Sequence, residues 1–551
     1  MKTFLQANLQ QNLPDRRVEV GTGLFGDVAG SLEALEADAA DAVALALEWQ
    51  DLDPRLGYGN AGQWGLAAVA DIVSIAQAML HRIASAIERI ATTIPVAISL
   101  PTLPLPPLFH TSSWQTSDAE LSLDESLLSF RLRLAKQQPR SFVNAARLAE
   151  DSAPAGRLNL ESDLAIGLPY TIPHAASLGN TLARLLVPPL AKKGLITDLD
   201  DTLWHGSAGE IGPENVSWDL AHGHQLHALY QKLVSAFADE GVLIGAVSKN
   251  DPAMVSEAFR RTDLLLPADR VFPIEVNWGS KSSSVERILR RWNVLADDVV
   301  FVDDSPMELA EVKLAHPGIE SLRFPNDDHD ACYALLRRLR DLFGKSRISG
   351  DDKLRPKSIR QPEPFEQAAG GAISEGFLQA ANGIITIDLY PANDPRALEL
   401  VNKTNQFNLN GKRHTIAEWS RAVSSPRGML TAISYQDKFG PLGTIAVLQG
   451  RREGDGLDIS TWVLSCRAFS RRIEHQCLKV LFDGYNARQI SFDFVPTAKN
   501  GPMQDFFATF IGARPTGAVT LTRAQFEQHC PPLYHRVTEI PAREREKLQS
   551  A

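Results

Sequence analysis

The sequence is short of cysteine and of positive charge. Its 551 residues include only Cys332, Cys466, Cys477 and Cys530, and no two of them have the CxxC spacing. This argues against a disulfide framework and against a zinc site, and it favours a reduced, cytoplasmic setting. The 56 basic and 66 acidic residues give a net charge of -10. That balance argues against a general nucleic-acid binder, which normally carries a basic excess.

Long hydrophobic runs are also missing. The first 17 residues contain no apolar stretch long enough for a signal peptide. The most apolar region, residues 64–100, is interrupted by Asp71, His81, Arg82, Glu88 and Arg89. Because these polar residues fall mostly on one helical face, the pattern predicts an amphipathic helix over about 64–92, packed on a core. We therefore expect no membrane partner.

A chain of this length predicts about three domains. Residues 1–185 have a mixed α/β pattern, and 186–345 alternate strands and helices as parallel sheets do. Residues 346–372 resemble a linker, 373–540 form strands and helices of an α+β domain, and 541–551 are a charged tail. The linker region is either solvated or a docking strip for an acidic partner, because it carries most of a basic run: Lys345, Arg347, Lys353, Arg355, Lys357 and Arg360.

A cluster of acidic residues follows the apolar run "GLIT". Asp198 and Asp200 lie two residues apart, with Asp201 between Asp200 and Thr202. Continued strand geometry predicts that Asp198 and Asp200 leave the same face, whereas Asp201 faces away. Clustered carboxylates repel one another, so their position at a strand end predicts a bound cation or a reaction that uses them.

Further polar residues end other predicted strands or follow them. Ser248 ends "VLIGAVS", Lys281 follows in "NWGSKSSS", and Asp303 and Asp304 end "DVVFVDD". Carboxylates, hydroxyls and an ammonium group converging on one sheet edge are what phosphoryl transfer through an aspartyl-phosphate requires. The sequence therefore predicts a phosphoryl-transfer site.

Geometry and chemistry suggest a role for each residue. We expect Asp198 to be the nucleophile and a Mg²⁺ ligand, and Asp200 to be the general acid and base. The backbone carbonyl of Asp200 is a further expected metal ligand. Mg²⁺ prefers hard oxygen donors, which Asp303 and Asp304 also supply. The remaining set is predicted to hold phosphate oxygens: Thr202, Ser248 and Lys281.

These motifs resemble the haloacid dehalogenase (HAD) superfamily, whose four motifs match "DLDDT", "AVSKND", "SKSS" and "FVDDS" in order. The stretches "LDDTLWHG", "NWGSK", "VNKTNQFNLNGKRHT" and "PTAKNGPMQDFF" look like its FkbH-like branch, over about residues 190–515. His205 and Gly206 stand where such chains usually carry glycines. The resemblance implies a HAD-like Rossmannoid sheet, a non-catalytic SGNH-hydrolase-like domain before it and a GNAT-like acyltransferase domain after it.

The resemblance also implies a reaction. FkbH-like proteins dephosphorylate 1,3-bisphosphoglycerate, or a similar acyl phosphate, and load the glyceryl unit as a thioester onto a phosphopantetheinylated acyl carrier protein in polyketide or related biosynthesis. Only 45 residues lie between Thr202 and Ser248, which leaves little room for a large covering domain. One alternative is a phosphatase acting on another phosphomonoester or a phosphoprotein. The other is a catalytically silent binding scaffold.

Two features of the C-terminal region remain open in the sequence. Cys466 ends a predicted strand just before Arg471 and Arg472, so it is either a thiolate that accepts an acyl group or an inert core cysteine. Cys477 is expected to be a packing residue. The polar run at 402–410 is either a solvated loop or a hydrogen-bonding surface for substrate or pantetheine.

Overall fold

The computed structural model describes residues 1–540, except for positions 25, 37–38, 60–67, 92–93, 137–140, 346, 361–374, 390–394, 426–427, 439, 466–467 and 470. Contacts divide the chain into two compact units. The first is Met1–Pro189 together with His414–Ala422, and the second is the remainder from Leu190 onward. The boundary predicted after residue 185 lies close to the end of the first segment, whereas the predicted linker at 346–372 falls inside the second unit.

The first unit combines a small parallel sheet with helices. Strands β1 (Val43–Ala46) and β2 (Val96–Ser99) pair in parallel. The helices in Met1–Pro189 are α1 (Lys2–Asn12), α2 (Val28–Glu33), α3 (Trp49–Leu52), α4 (Val69–Ile90), α5 (Asp118–Ala135), α6 (Ala145–Asp151), α7 (Leu160–Ile166) and α8 (Ile172–Leu186). Helix α4 is the expected amphipathic helix and buries one face from Ile72 to Ile90. None of the helices in the described part of the chain is both long and apolar enough to cross a membrane.

The second unit begins with a five-stranded parallel sheet in the order β5-β4-β3-β6-β7. Its elements are β3 (Gly194–Thr197), α9 (Ala208–Ile211), α10 (Gln225–Asp239), β4 (Leu243–Ser248), α11 (Pro252–Ala258), β5 (Ile274–Val276), α12 (Lys281–Trp292), β6 (Val299–Asp303), α13 (Pro306–Ala315), β7 (Glu320–Arg323) and α14 (His329–Phe343). Strands β3, β4 and β6 are wholly buried. Continuous apolar runs of this kind are typical of parallel sheets covered on both faces, and the predicted α/β class is confirmed here.

The second unit also contains an eight-stranded sheet that is largely antiparallel, in the order β14-β13-β12-β11-β10-β8-β15, with β9 paired to β12. Its strands and the neighbouring helices are α15 (Gly350–Arg360), α16 (Glu375–Ala380), β8 (Ile384–Leu389), α17 (Pro395–Lys403), β9 (Phe407–Asn408), α18 (Ile416–Val423), β10 (Gly428–Asp437), β11 (Gly440–Glu453), β12 (Gly456–Leu464), α19 (Ile473–Gly484), β13 (Gln489–Phe492), α20 (Gly501–Ile511), β14 (Val519–Thr522), α21 (Arg523–His529) and β15 (Arg536–Ile540). Most of α18 belongs to the first unit by its contacts.

The segment 407–410 fills a gap in this mixed sheet. Strand β12 pairs in parallel with β13 only over its first half, and its last residues pair instead with β9. Leu409 donates its backbone N–H to Trp462 O and accepts from Val495 N, so the segment bonds to β12 on one side and to the chain after β13 on the other.

The predicted linker contains a packed helix. Helix α15 spans its first part, and Asp352 within that helix is fully buried. Asp352 pairs with Lys345 at 3.2 Å and with Arg355 at 3.3 Å. Attraction from these cations holds the pKa of Asp352 below its usual value, although burial acts in the opposite direction. Two of the six residues of the predicted basic docking strip are therefore engaged by a buried carboxylate.

Candidate active site

The expected site residues meet at the carboxyl edge of the parallel sheet. Asp198 directly follows β3, Ser248 is the last residue of β4, and Asp303 is the last residue of β6. Because β3 lies between β4 and β6, these three ends are neighbours. Asp198 is also fixed by its backbone N–H, which donates to Val302 O at 2.9 Å.

Lys281 joins two of the carboxylates. Its Nζ lies 2.8 Å from Asp198 Oδ1 and 2.7 Å from Asp303 Oδ2, and all three side chains are buried. Burial lowers the pKa of the Lys281 ammonium, but attraction to the two aspartates outweighs this effect and the pKa is raised. The ammonium group therefore remains protonated and balances part of the buried negative charge.

Helix α12 places Lys281 in this position. The helix begins at Lys281, where the Ser280 side chain accepts from Ser283 N and caps it. At the other end Trp292 packs on Gly194 and Gly245, where an added Cβ would come within 3 Å of the indole ring. These glycines let the helix pack closely on β3 and β4.

Three carboxylates at this edge could hold a metal ion. Oxygens of Asp198, Asp303 and Asp304 lie within 4.8 Å of one another. Burial raises the pKa of all three carboxyls, and their mutual repulsion adds to this for Asp198 and Asp304. With one ammonium against three carboxylates, the cluster is short of positive charge. Its all-oxygen donor set suits Mg²⁺, as the sequence predicted.

Asp200 is not part of this group of three carboxylates. Strand β3 ends at Thr197, so strand alternation does not extend to Asp200. Its Oδ1 accepts from Trp204 Nε1 at 2.9 Å and from Ala208 N at 3.2 Å, and its Oδ2 accepts from Asn250 Nδ2 at 2.8 Å. The expectation that Asp200 and Asp198 share one strand face is therefore wrong. The predicted acid–base role and backbone metal contact of Asp200 stay predictions.

The two predicted phosphate-binding hydroxyls differ in their surroundings. Thr202 Oγ1 accepts from Asp304 N at 3.1 Å, so it holds the acidic loop in place. Ser248 is buried beside Asp198, and its backbone carbonyl accepts from Asn277 N in the loop that leads to Lys281. Thr202 is thus engaged in a contact within the protein, whereas Ser248 lies at the carboxyl edge of the sheet, and the predicted phosphate-binding role of both residues stays a prediction.

Next to Thr202 lies a histidine cluster that sequence reasoning missed. His205 stacks on His224 with ring centroids 3.6 Å apart, and buried His227 lies 5.9 Å from His205. His227 Nδ1 lies 3.0 Å from Thr202 O, and burial lowers the pKa of His227 to about 4. Asp201, expected to face away, accepts from Gly206 N and stabilises the turn. The sequence had drawn attention to His205 alone, as a departure from the FkbH-like motif that it resembles.

The predictions for the C-terminal region have different outcomes. Cys466 lies outside the described residues. Cys477 is buried, and burial raises the pKa of its thiol, as suits a packing residue. The polar run is not a solvated loop throughout, because Asn408 and Asn410 are buried. The Nδ2 of Asn410 donates to Ser460 O and Asp493 O, so this amide binds the protein's own backbone.

The arrangement around Asp198 can perform nucleophilic chemistry at a phosphate. Asp198 is a carboxylate at a sheet edge, with an ammonium group and oxygens that could hold a metal ion close to it, and with the Ser248 hydroxyl at the end of the neighbouring strand. Asp200 is a second carboxylate two residues away.

Comparisons with known proteins give one structural match to report. No protein-family model matches the chain, and no curated protein matches it. A similar solved structure is the N-terminal part of a Bacteroides fragilis protein that contains a phosphatase domain and is complexed with Mg. The match has 17% identity and a TM-score of 0.47, and it covers 62% of this chain and 91% of that one. A match at this level does not assign an activity to the chain.

Proposed function

We propose that the chain is a Mg²⁺-dependent HAD-type phosphatase that works through a covalent intermediate on Asp198. The observation that carries the proposal is the bridge from Lys281 to Asp198 and Asp303, with Asp304 close enough to complete a metal site. A bound divalent cation, held by Asp198, Asp303 and Asp304, would neutralise charge on the phosphate.

The protein's own residues account for the steps. Asp198 attacks phosphorus, the bond to the leaving oxygen breaks, and a phosphoaspartate forms. Asp200 gives its proton to the leaving oxygen and later takes one from the attacking water. In the structure the Asp200 carboxylate accepts hydrogen bonds from Trp204 and Asn250, which fix its orientation. Lys281 and Ser248 bind the oxygens of the transferred group.

The finer proposal is that the substrate is 1,3-bisphosphoglycerate or a similar acyl phosphate, and that the glyceryl unit passes to an acyl carrier protein. It is supported by the FkbH-like motifs, which extend from the parallel sheet into the mixed sheet. A short connection between β3 and α10, with only the four-residue helix α9, supports an open site. Cys466 is the proposed acyl acceptor.

The test combines Mg²⁺, 1,3-bisphosphoglycerate and a pantetheinylated carrier protein. We expect phosphate release together with a glyceryl adduct on the carrier, measured by intact-protein mass spectrometry. Phosphate release without an adduct on carrier or enzyme would leave a stand-alone phosphatase. No release with any phosphomonoester would favour the binding scaffold.

Variants separate the steps. Asp198→Asn should abolish phosphate release, whereas Asp239→Asn, which alters an exposed aspartate paired with Arg270, should not. Unchanged turnover in Asp198→Asn would refute the nucleophile assignment. A Cys466→Ala variant that still accumulates acyl-enzyme would exclude this thiol as the acceptor.

A further inference from the structure

Helix α5 in the first unit carries leucines on two faces. One face, from Leu123 to Leu134, is buried in the core of this unit. On the other face, Leu121 and Leu128 are each 55% exposed and Leu132 is 58% exposed. We call Leu121, Leu128 and Leu132 the outer stripe. It shares no residue with the phosphoryl-transfer site.

The spacing of the outer stripe places its members in one line. With about 100° of rotation per residue, positions 121, 128 and 132 lie within about 40° of one another on the helix surface. A single exposed leucine is normal on a protein surface, but an aligned and exposed apolar row marks an interaction site. Rows of this kind form the seam between paired helices in coiled coils. The outer stripe therefore indicates a partner helix.

Charged residues flank the outer stripe on both sides. Helical geometry places Asp118 and Lys136 on one flank, and Asp124 and Arg131 on the other. All four side chains are exposed, and none forms an ion pair with another residue that the structure describes. The Arg131 guanidinium lies 5.8 Å from the centre of the Phe142 ring. On each flank the aspartate precedes the basic residue along the helix.

This order of charges matches a second copy of the same helix that runs in the opposite direction. In an antiparallel pair related by a two-fold axis, each flank meets the same flank of the other copy. With the axis close to residue 127, Asp118 lies opposite Lys136 of the second copy. On the other flank, Asp124 lies opposite Arg131 of the second copy. Both flanks therefore pair opposite charges.

The leucines fit the same axis. It places Leu121 opposite Leu132 of the second copy, and Leu128 close to its own counterpart. The mid-points of these two leucine pairs and of the two charge pairs fall within about 2 Å of one another along the helix. A parallel pair would instead bring the acidic halves of the two helices together, and also the basic halves, which is unfavourable.

We propose that the protein forms a homodimer in which the outer stripe packs antiparallel on the outer stripe of a second copy. Contacts between the leucines hold the two helices together, and the flanking charges select the direction and the register. Helix α5 has 18 residues, so each copy contributes a strip about 27 Å long. One helix per copy is a small interface, and we expect a dissociation constant on the order of 10 μM.

Sedimentation velocity of the full-length protein, from about 1 to about 100 μM, tests the association. We expect the mass to rise from that of the 60.4 kDa chain towards twice that value. Leu128→Glu should weaken the dimer at least about a hundredfold, because it places two carboxylates together at the axis. A wild type that stays monomeric over this range would overturn the proposal.

The matched control is Leu164→Glu. Leu164 is 59% exposed on α7, in the same unit and outside the outer stripe. This variant should dimerise like the wild type, and its thermal unfolding and that of Leu128→Glu, followed by circular dichroism, should resemble the wild type. Dissociation by Leu164→Glu, or an unchanged dimer in Leu128→Glu, would assign the interface to another surface.

A charge exchange tests the register without altering the leucines. Asp124→Arg should weaken the dimer about tenfold, because it faces Arg131 of the second copy at two equivalent places. Adding Arg131→Asp to the same chain restores opposite charges across the interface and should recover the wild-type affinity. A double variant no tighter than Asp124→Arg alone would contradict the antiparallel register.

Cysteine cross-linking tests the direction of the helices. Leu128→Cys should form a disulfide between two copies under mild oxidation, because this position lies close to the axis. Leu121→Cys should not, since its own counterpart lies about 19 Å away along the helix in an antiparallel pair. Non-reducing electrophoresis measures both, with the wild type as the control for the native cysteines. Equal cross-linking at the two positions would indicate a parallel pair and overturn the proposal.

Discussion

Two polar clusters, the phosphoryl-transfer site and the hydrogen-bonded group Glu48, Thr102, His174 and Ser152 in the first unit, each include residues at the carboxyl ends of parallel strands, yet they lack groups of opposite charge. Around Lys281, three carboxylates share one ammonium group, so the cluster is short of positive charge. Around His174, the carboxylate of Glu48 accepts several hydrogen bonds, whereas Arg157 Nη2 has no hydrogen-bond partner in the part of the chain that the structure describes. The phosphoryl-transfer site therefore favours binding of a cation, whereas the cluster around His174 favours binding of a ligand oxygen.

This difference shows that a group without a counter-charge or hydrogen-bond partner indicates a ligand more directly than the residue types of a cluster do. Aspartates occur in many surface clusters without function, and serine and histidine are common partners. What distinguishes each cluster is the group left unbalanced after all contacts within the protein are made.

Replacing Lys281, the cationic side chain of the phosphoryl-transfer site, should give the largest loss of stability. Lys281→Met leaves Asp198 and Asp303 buried without their counter-charge, and we expect a loss of about 3–5 kcal/mol in the free energy of unfolding. Urea denaturation in EDTA measures this loss, and added Mg²⁺ should recover part of it. Arg290→Met is the control on the same helix, because its ion pair with Glu286 is exposed and should contribute less than about 1 kcal/mol. Equal losses in the two variants would mean that the charges around Lys281 are not buried.

Low pH should destabilise the two regions by similar amounts, because each contains a buried histidine. The pKa values of His174 and His227 are lowered to about 4, so between pH 6.5 and pH 4 the unfolded chain binds more protons at these sites than the folded chain does. Each histidine should therefore lower the free energy of unfolding of the wild type by about 3 kcal/mol between pH 7 and pH 4. Wild type should lose this amount relative to His174→Gln and to His227→Gln in urea denaturation. A constant difference across pH would show that the histidine titrates normally.

Changing one carboxylate of the phosphoryl-transfer site should test whether this cluster, unlike the cluster around His174, binds a cation. Asp304→Asn should weaken Mg²⁺ binding at least about tenfold, since even an outer-sphere partner of a metal contributes that much. Isothermal titration calorimetry provides the measurement. Asp201→Asn is the neighbouring control, because Asp201 lies outside the cluster and asparagine keeps the bond to Gly206 N. Similar losses in both variants would place the metal elsewhere at this edge.

The smallest expected difference lies between two threonine hydroxyls. Thr202→Val removes the acceptor for Asp304 N and should cost about 1 kcal/mol. Thr102→Val removes one of several hydrogen bonds to Glu48 and the partner of His174 Nε2, and it should cost about 2 kcal/mol. Urea denaturation of both variants measures the difference. A larger loss in Thr202→Val would reverse the order and assign the tighter network to the phosphoryl-transfer site.

Strand ends were the predictable part of the molecule. Apolar runs followed by Asp198, Ser248 and Asp303 indicate parallel strands, and adjacent strands bring those ends together whatever the loops do. Lys281 could be assigned from its place between the runs that end at Ser248 and Asp303, whereas the helix that begins at Lys281 was found only in the structure. The surroundings of Asp200 could not be predicted, because the strand stops at Thr197 and the turn then directs Asp200 toward Asn250 and Trp204.

The hydrogen-bonded cluster around His174 left no pattern in the sequence. Glu48, Thr102, Ser152 and His174 are spread over more than one hundred residues and stand in unrelated local contexts, so only tertiary packing brings them together. The buried asparagines at 408 and 410 show the same limit. Their polarity predicts hydrogen bonding, but the backbone partners Ser460 and Asp493 are supplied by strands far along the chain.

The segment 407–410 has a consequence for how the mixed sheet assembles. It precedes β12 and β13 in the chain, yet its place between them exists only after both strands have formed. Contacts of such wide sequence separation are slow to form, because the loops between them must close first. During synthesis this segment is made before β12 and β13, so it cannot pair until they have formed. The last part of the sheet to become ordered should therefore lie inside the sheet, between β12 and the chain after β13, and hydrogen exchange during refolding should protect Leu409 later than the residues of β11.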